Sequence, residues 1–237
     1  MPLQTYKARV SEHTLIKGKF QYVTFEMIEP NVFDFKSGQF IMLSVPDMPA
    51  KRSYSIASSP ADKHKIEILV DVSPQGDGSM FLQSLNPGEE VEFMGPGGQF
   101  VLSDELEKEQ KLVMIATGSG ISAIRSMCLD LLQSQSDTRQ ISLHWGMRFV
   151  QDIFWEDEFR LLQKQFPNFH FDLVLSKAPT GWPLCTGHID DCLRNHYSDF
   201  QNTGYYLCGN QRMIDGVSEL LTEKGVTKER IHHERFF

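Results

Sequence analysis

Two short stretches of the chain combine residue types that suit phosphate and flat-ring chemistry. In Arg52-Ser53-Tyr54-Ser55 a guanidinium precedes an aromatic ring by two residues. On an extended strand both side chains leave the same face, because successive residues alternate. A guanidinium matches a phosphate bidentately, and a ring beside it suits a flavin. The second stretch, Gly118-Ser119-Gly120-Ile121-Ser122-Ala123, is a G-x-G-x-x-A pattern behind the apolar run Leu112–Ala116. Glycines in that context let backbone N–H groups approach a pyrophosphate at the positive end of a helix. A ligand-free tight turn is the plainer reading of the same glycines. A dinucleotide fold usually ends its second strand with an acid that holds the ribose 2′-hydroxyl. Here that strand ends His-Trp-Gly-Met-Arg-Phe, so Arg148 either suits a 2′-phosphate or is simply solvated.

The elements that must carry these groups are legible in the hydrophobic pattern. Val23, Phe25 and Met27 alternate with polar residues, as do Ile66, Ile68, Val70 and Val72. Period two indicates half-buried strands, and further strands are expected at residues 39–45, 52–57 and 90–94. Turn signals separate them: Pro74-Gln75-Gly76, Asn86-Pro87-Gly88 and Gly95-Pro96-Gly97-Gly98. Many short, regularly punctuated strands indicate an antiparallel barrel. The polar stretch 103–110 reads as a linker. Beyond it strands at 111–117, 140–147, 169–176, 204–208 and 230–236 alternate with helices at 121–133, 156–166, 188–196 and 211–224. That alternation implies a mostly parallel, doubly wound sheet. The expected organisation is a barrel domain over 1–104 and a nucleotide domain over 105–237.

Composition narrows the function. The chain has 237 residues, 41% hydrophobic and 23% charged, which excludes disorder and a disulfide mini-scaffold. Net charge is −8 and neither half is basic, so no nucleic-acid footprint is expected. The apolar stretches fall far short of a membrane span. The N-terminus shows no secretory signal, so a cytoplasmic protein with reduced thiols is expected. Cys128, Cys185, Cys192 and Cys208 include no C-x-x-C pair and no iron–sulfur or zinc spacing. Cys185 and Cys192, seven apart without histidines at metal spacing, read as packing residues. His232 and His233 point to opposite faces of a strand and read as structural or solvent-facing. Trp145, Trp155 and Trp182 read as support for cores or loops. No metal site is expected.

Six segments in order extend these readings to a family. Arg52–Pro60 (RSYSIASSP) resembles the R-x-Y-S flavin-binding motif of the ferredoxin–NADP reductase superfamily. Gly76-Asp77-Gly78-Ser79 resembles its second flavin-phosphate loop, and Gly95–Phe100 its barrel-closing G-P-x-G-x-F. Residues 116–121 (ATGSGI) resemble the nicotinamide-nucleotide turn, and Cys208-Gly209-Asn210 with Met213 the C-G-x…M segment. Glu234-Arg235-Phe236-Phe237 resembles the terminal E-x-F of bacterial oxygenase reductases. The resemblance implies a two-domain chain: an N-terminal antiparallel Greek-key β-barrel holding FAD, and a C-terminal α/β Rossmann-like parallel sheet holding NAD(P)H.

It also implies roles. Arg52 neutralises the flavin phosphate, Tyr54 stacks on the isoalloxazine, Ser53 flanks them, and Ser55 hydrogen-bonds near flavin N5. The N–H groups of Asp77, Gly78 and Ser79, with the Ser79 hydroxyl, hold the pyrophosphate. Thr117 faces the flavin, while Gly118 and Gly120 line the nucleotide turn. Cys208 and Gly209 lie beside the nicotinamide. Glu234, Phe236 and Phe237 sit at the opposite flavin face. Ser55, Cys208 and Glu234 are thus the catalytic candidates. Relatives that use NADPH often carry arginines where this chain has Lys177 and His188, so these two with Arg148 give a weaker 2′-phosphate site and leave NADH against NADPH open. FAD is expected over FMN because the phosphate loop suits a diphosphate. The implied activity is hydride transfer from nicotinamide to FAD. Electrons then pass to a separate acceptor, a small iron–sulfur or flavin protein such as ferredoxin or flavodoxin. A free-flavin reductase and an electron-transfer subunit of a larger complex are the alternatives.

Overall fold

The computed structural model describes residues 3–46, 48–103 and 109–236. The described chain contains two compact units, one formed by residues up to Leu102 with Arg125–Ser136, the other by Ser103–Ile124 with Asp137 onward. Most of the stretch read as a linker, 104–108, lies outside the described residues.

The first unit is a six-stranded antiparallel sheet of β1 (Gln4–Ile16), β2 (Phe20–Glu29), β3 (Phe40–Leu43), β4 (Arg52–Ser55), β5 (Lys65–Asp71) and β6 (Glu90–Gly97). Their order is β4-β3-β6-β1-β2-β5. Just past β4, Ile56 bridges Ile68 of β5, and the Ala57 N–H donates to the Glu67 carbonyl at 2.7 Å, so the two ends of the sheet meet as in a barrel. Inward residues from alternating positions fill the core, among them Val23, Phe25, Ile41, Leu43, Ile66, Ile68 and Phe93. Phe33 packs edge-on against both Tyr6 and Phe93. Two elements of this unit escape the periodicity reading. β1 lies between β6 and β2 but carries only Tyr6, Ala8 and Val10 fully inward amid exposed polar residues, too weak an alternation to stand out. Residues Asp77–Ser84 form a helix, α1, rather than a loop; Asp-Gly-Ser favours turns, and only Gly78, Ser79 and Leu82 are buried, so no helical stripe appears.

The second unit is a parallel sheet in the order β10-β9-β8-β7-β11-β12. It comprises β7 (Lys111–Thr117), β8 (Gln140–Met147), β9 (Phe169–Leu175), β10 (Cys185–Thr186), β11 (Thr203–Asn210) and β12 (Ile231–Phe236). The helices are α2 (Ile121–Leu129), α3 (Glu156–Gln165), α4 (Ile189–His196) and α5 (Gln211–Glu223). β7 and β8 have the bounds expected from their apolar runs, because strands covered on both faces read as continuous hydrophobic stretches. The strands step outward from β7 to β10 and then return to its other side with β11. The order therefore reverses between β7 and β11, where ligands of such sheets bind.

Helix α2 starts in the second unit, and its later residues pack in the first. A π turn extends it through Ser134. Arg125 donates from Nη1 to the Ala57 carbonyl and the Glu67 carboxylate, each at 2.7 Å. Ser126 donates to the Ser58 carbonyl at 2.6 Å, and Ser37 to Asp130 at 2.9 Å. The segment following β4 is thereby pinned by α2.

Candidate functional site

In the first unit, β4 supplies the Arg52–Ser55 residues at the sheet edge, paired with β3 so that Arg52 faces Leu43 and Ser55 faces Phe40. Arg52 and Tyr54 are half-buried, Ser53 is exposed and Ser55 is buried. The structure brings Arg52 and Tyr54 together over α1. A Cβ on Gly78 would fall against the Tyr54 hydroxyl and 2.7 Å from Arg52 Cγ, so the glycine leaves room for both side chains. Burial pushes the Tyr54 phenol up to about 12, against the opposing pull of Arg52, so the ring stays neutral. Arg52 Nη1 donates to the carbonyls of Ala50 and Lys51 at 3.1 and 3.4 Å, which anchor one side of the guanidinium fork. Gly76 caps α1, and the first intrahelical bond runs from Met80 N to Gly76 O at 2.9 Å. The N–H groups of Asp77, Gly78 and Ser79 precede that bond, in the first turn of a helix, where intrahelical acceptors are lacking and the dipole favours negative charge. The Ser79 hydroxyl donates to Gly76 O at 2.7 Å, so its proton tightens this turn. A guanidinium, a neutral ring and free N–H groups fit a flavin diphosphate.

In the second unit, Thr117 ends β7, and Gly118–Gly120 form a single 3-10 turn that leads into α2. The indole of Trp145 donates to the Gly118 carbonyl at 3.2 Å, a loop-supporting role of the kind expected for it. A Cβ on Gly120 would come within 2.6 Å of the Cys208 carbonyl carbon and 2.8 Å of Gly209 Cα. Gly209, at φ +144, in turn admits the Thr117 side chain and backbone. The two glycine segments interlock, backbone against backbone, at the end of β7 and β11. Thr117 Oγ1 accepts from Asn210 N at 3.1 Å and from Asn210 Nδ2 at 3.0 Å. Asn210 Oδ1 caps α5 by accepting from Met213 N at 2.9 Å. The periodicity reading gave Asn210 no role; an Asn directly before a helix was its available signal.

Cys208 lies between Ala116 of β7 and Glu234 of β12, with no exposed surface. Burial, with a smaller push from Glu234, holds its thiol well above the usual range. Glu234 is half-buried on β12. Phe236 ends that strand, but its side chain and the whole of Phe237 lie outside the described residues. His232 stacks on Tyr206 at 4.6 Å while His233 is exposed, so the pair divides between the two faces of its strand.

The three residues read as a 2′-phosphate site all stand at the C-terminal ends of parallel strands. Arg148 follows β8, exposed, with its guanidinium 5.2 Å from the centre of the Phe149 ring. Lys177 follows β9, and its N–H donates to the Arg148 carbonyl at 3.0 Å, which makes the two segments neighbours. His188 caps α4, with its N–H donating to Asp191 Oδ2 at 3.4 Å.

One expectation is overturned. Cys185 and Cys192, read as packing residues in a reduced chain, are joined by a disulfide with Cα atoms 6.0 Å apart. The tertiary pairing of β10 with β9 sets Cys185 over the first turns of α4, which no C-x-x-C search detects. The histidine missing by sequence spacing is also present: His196, one turn beyond Cys192, lies beside both sulfurs.

Residues 7–102 match the oxidoreductase FAD-binding domain and residues 114–219 the oxidoreductase NAD-binding domain. The chain is 30% identical over 240 residues to the phenol 2-monooxygenase reductase component DmpP of Pseudomonas sp. (strain CF600), spanning 100% of this chain and 67% of that protein. It is 28% identical over 242 residues to ferredoxin–NADP reductase B of Sorangium cellulosum (strain So ce56), spanning 98% of each. Among solved structures, the Amycolatopsis cytochrome P450 reductase GcoB superposes with a TM-score of 0.90 at 26% identity, over 99% of this chain and 70% of that one. The chain spans about two thirds of the length of the oxygenase reductase components it matches. Among the described residues no helix is long and apolar enough to cross a membrane.

Proposed function

The chain belongs to the ferredoxin–NADP reductase superfamily, and from that premise we propose that it is an NAD(P)H-dependent flavoenzyme that supplies electrons to a separate protein acceptor. The observation that carries this reading is the closure of Arg52 and Tyr54 over Gly78 at the start of α1. A positive charge, an aromatic ring and a helix N-terminus converge there, as a flavin diphosphate requires. FAD, when bound, accepts a hydride from the nicotinamide and releases electrons to the acceptor. Arg52 and the Asp77–Ser79 N–H groups hold the phosphates, while Tyr54 orients the ring. The Ser55 hydroxyl offers a hydrogen bond near the reacting nitrogen. In the second unit the interlocked Gly120 and Gly209 backbones shape the nucleotide turn, and Thr117 is held in place by Asn210. Cys208 serves through its backbone, since its thiol is buried and neutral. Glu234, half-buried on β12, is the remaining catalytic candidate of the second unit. Arg148, Lys177 and His188 accept a 2′-phosphate weakly, so both nucleotides are used. The similarity to reductase components of monooxygenases and to a ferredoxin–NADP reductase favours a protein acceptor, an oxygenase component or a ferredoxin.

The test is the absorbance of the purified protein, followed by reduction with NADH and with NADPH. A flavin spectrum that bleaches with nucleotide, and that reoxidises faster with a ferredoxin or flavodoxin than with free FMN, supports the reading. A colourless protein that turns over added flavin would make it a free-flavin reductase instead.

A further inference from the structure

Along the edge of the second unit's sheet, β10 and α4 assemble three metal-ligand side chains that the nucleotide turn does not use. Cys185 lies in β10, while Cys192 and His196 stand four residues apart on α4 and so share one face. His196 Nδ1 is 3.7 Å from Cys185 Sγ and 3.5 Å from Cys192 Sγ. All three ligand atoms lie within 4.8 Å of one another. Tetrahedral zinc, with Zn–S near ~2.3 Å and Zn–N near ~2.0–2.1 Å, sets an S···N edge of about 3.6 Å. The two observed separations bracket that edge. Asp172 of β9 brings a negative charge to the same place, with Oδ2 3.9 Å from His196 Nδ1. Oδ2 also lies 3.1 Å from His170 Nε2. Buried His144 faces this carboxylate from 3.6 Å with an Nδ1 that has no hydrogen-bond partner.

We propose that Cys185, Cys192 and His196 form a binding site for a thiophilic divalent cation of the zinc class, opened by reduction of the Cys185–Cys192 disulfide. A dithiol delivers two electrons and two protons to the S–S bond and leaves as its own disulfide. The two thiols then release their protons to solvent as both sulfurs bind the cation. Thiolate and imidazole donors select zinc over magnesium or calcium. The fourth position falls to solvent, on the side of Asp172. Cys192 is buried, whereas His196 is 47% exposed, which gives the ion a way in. The same sulfurs serve either the disulfide or the ion, so oxidation expels the metal and the metal protects the thiols. The proposal does not depend on the flavin or on the electron acceptor.

The test uses the full chain, reduced with a phosphine, freed of reductant and exposed to Zn²⁺ before gel filtration. Zinc is counted by elemental analysis, and alkylation of Cys185 by iodoacetamide is followed by peptide mass spectrometry. The reduced protein should retain about one zinc, and zinc should slow alkylation about tenfold or more. The disulfide form should retain none. His196→Ala, at an exposed position, should keep the parent melting temperature while weakening zinc retention about tenfold or more. Cys185→Ser with Cys192→Ser should abolish retention. Reduced protein that holds no more zinc than this double variant would overturn the site. Zinc retained equally by the disulfide form would overturn the redox gate, and unchanged retention in His196→Ala the ligand set.

Discussion

Gly78 and Gly120 both stand where a Cβ has no room, yet different things fill that room. Over Gly78 of α1 lie the Tyr54 hydroxyl and the Arg52 stem, side chains of strand β4. Over Gly120 lie the Cys208 carbonyl and Gly209, the backbone of the neighbouring strand. In the antiparallel unit the candidate site adds the side chains of Arg52 and Tyr54, and the first turn of α1, to a finished sheet. In the parallel unit the site and the sheet are the same atoms. Removing a group from the first should cost binding and spare the fold. Crowding the second should cost the fold itself.

Gly120→Ala gives the largest expected effect and tests the second half of that contrast. The new Cβ meets backbone that cannot swing away, so unfolding free energy should fall by about 3 kcal/mol, the upper end of overpacking costs. Urea unfolding followed by tryptophan fluorescence measures it. In the same assay Gly78→Ala should lose less than about 1 kcal/mol, because the Arg52 stem and Tyr54 can yield. Equal losses for the two would end the comparison.

Arg125→Ala comes next. Arg125 and Glu67 are 12% and 16% exposed at their side chains, so the variant removes the positive partner of a carboxylate that is mostly out of water. A loss of about 2 kcal/mol is expected, discounted from a fully buried pair for that residual exposure. Glu67→Gln in the Arg125→Ala background should recover part of it. No recovery would mean that the loss came from other contacts of Arg125, the one to the Ala57 carbonyl among them.

Arg52→Ala should lower FAD affinity about tenfold, near the low end for a charge-assisted hydrogen bond, while the melting temperature of the flavin-free protein holds. A fall in melting temperature without a fall in affinity would move Arg52 from the site to the scaffold. Lys177→Ala is the smallest. Exposed ion pairs contribute about 0.2–1 kcal/mol, so the ratio of kcat/KM for NADPH over NADH should fall only about threefold. An unchanged ratio would take Lys177 out of the 2′-phosphate site.

The contrast between the units also explains what the sequence discloses. β7 and β8 are legible to the residue because strands covered by helices on both sides are apolar throughout. β1 is not, since only Tyr6, Ala8 and Val10 of its thirteen residues are buried and Ala8 contributes little apolar signal. α1 hides because its first turn is built from turn-forming residues. The spacing of Arg52 and Tyr54 foretells a shared face, but nothing in it foretells that Gly78 lies beneath them. The Cys185–Cys192 bond is invisible for a similar reason. It depends on a two-residue strand whose pairing with β9 is a tertiary fact.

The passage of α2 from one unit into the other bears on how such proteins can be recombined. A crossover near residue 110 looks natural, since it separates all six antiparallel strands from all six parallel ones. It would leave the Ala57 and Ser58 carbonyls and the Glu67 carboxylate to whatever the second parent carries at positions 125 and 126. The heritable block for the first unit is therefore discontinuous, residues up to Leu102 together with Arg125–Ser136. A chimaera library that shuffles those two pieces independently should yield folded members mainly where both descend from one parent, or where the other parent also supplies an arginine at the position of Arg125.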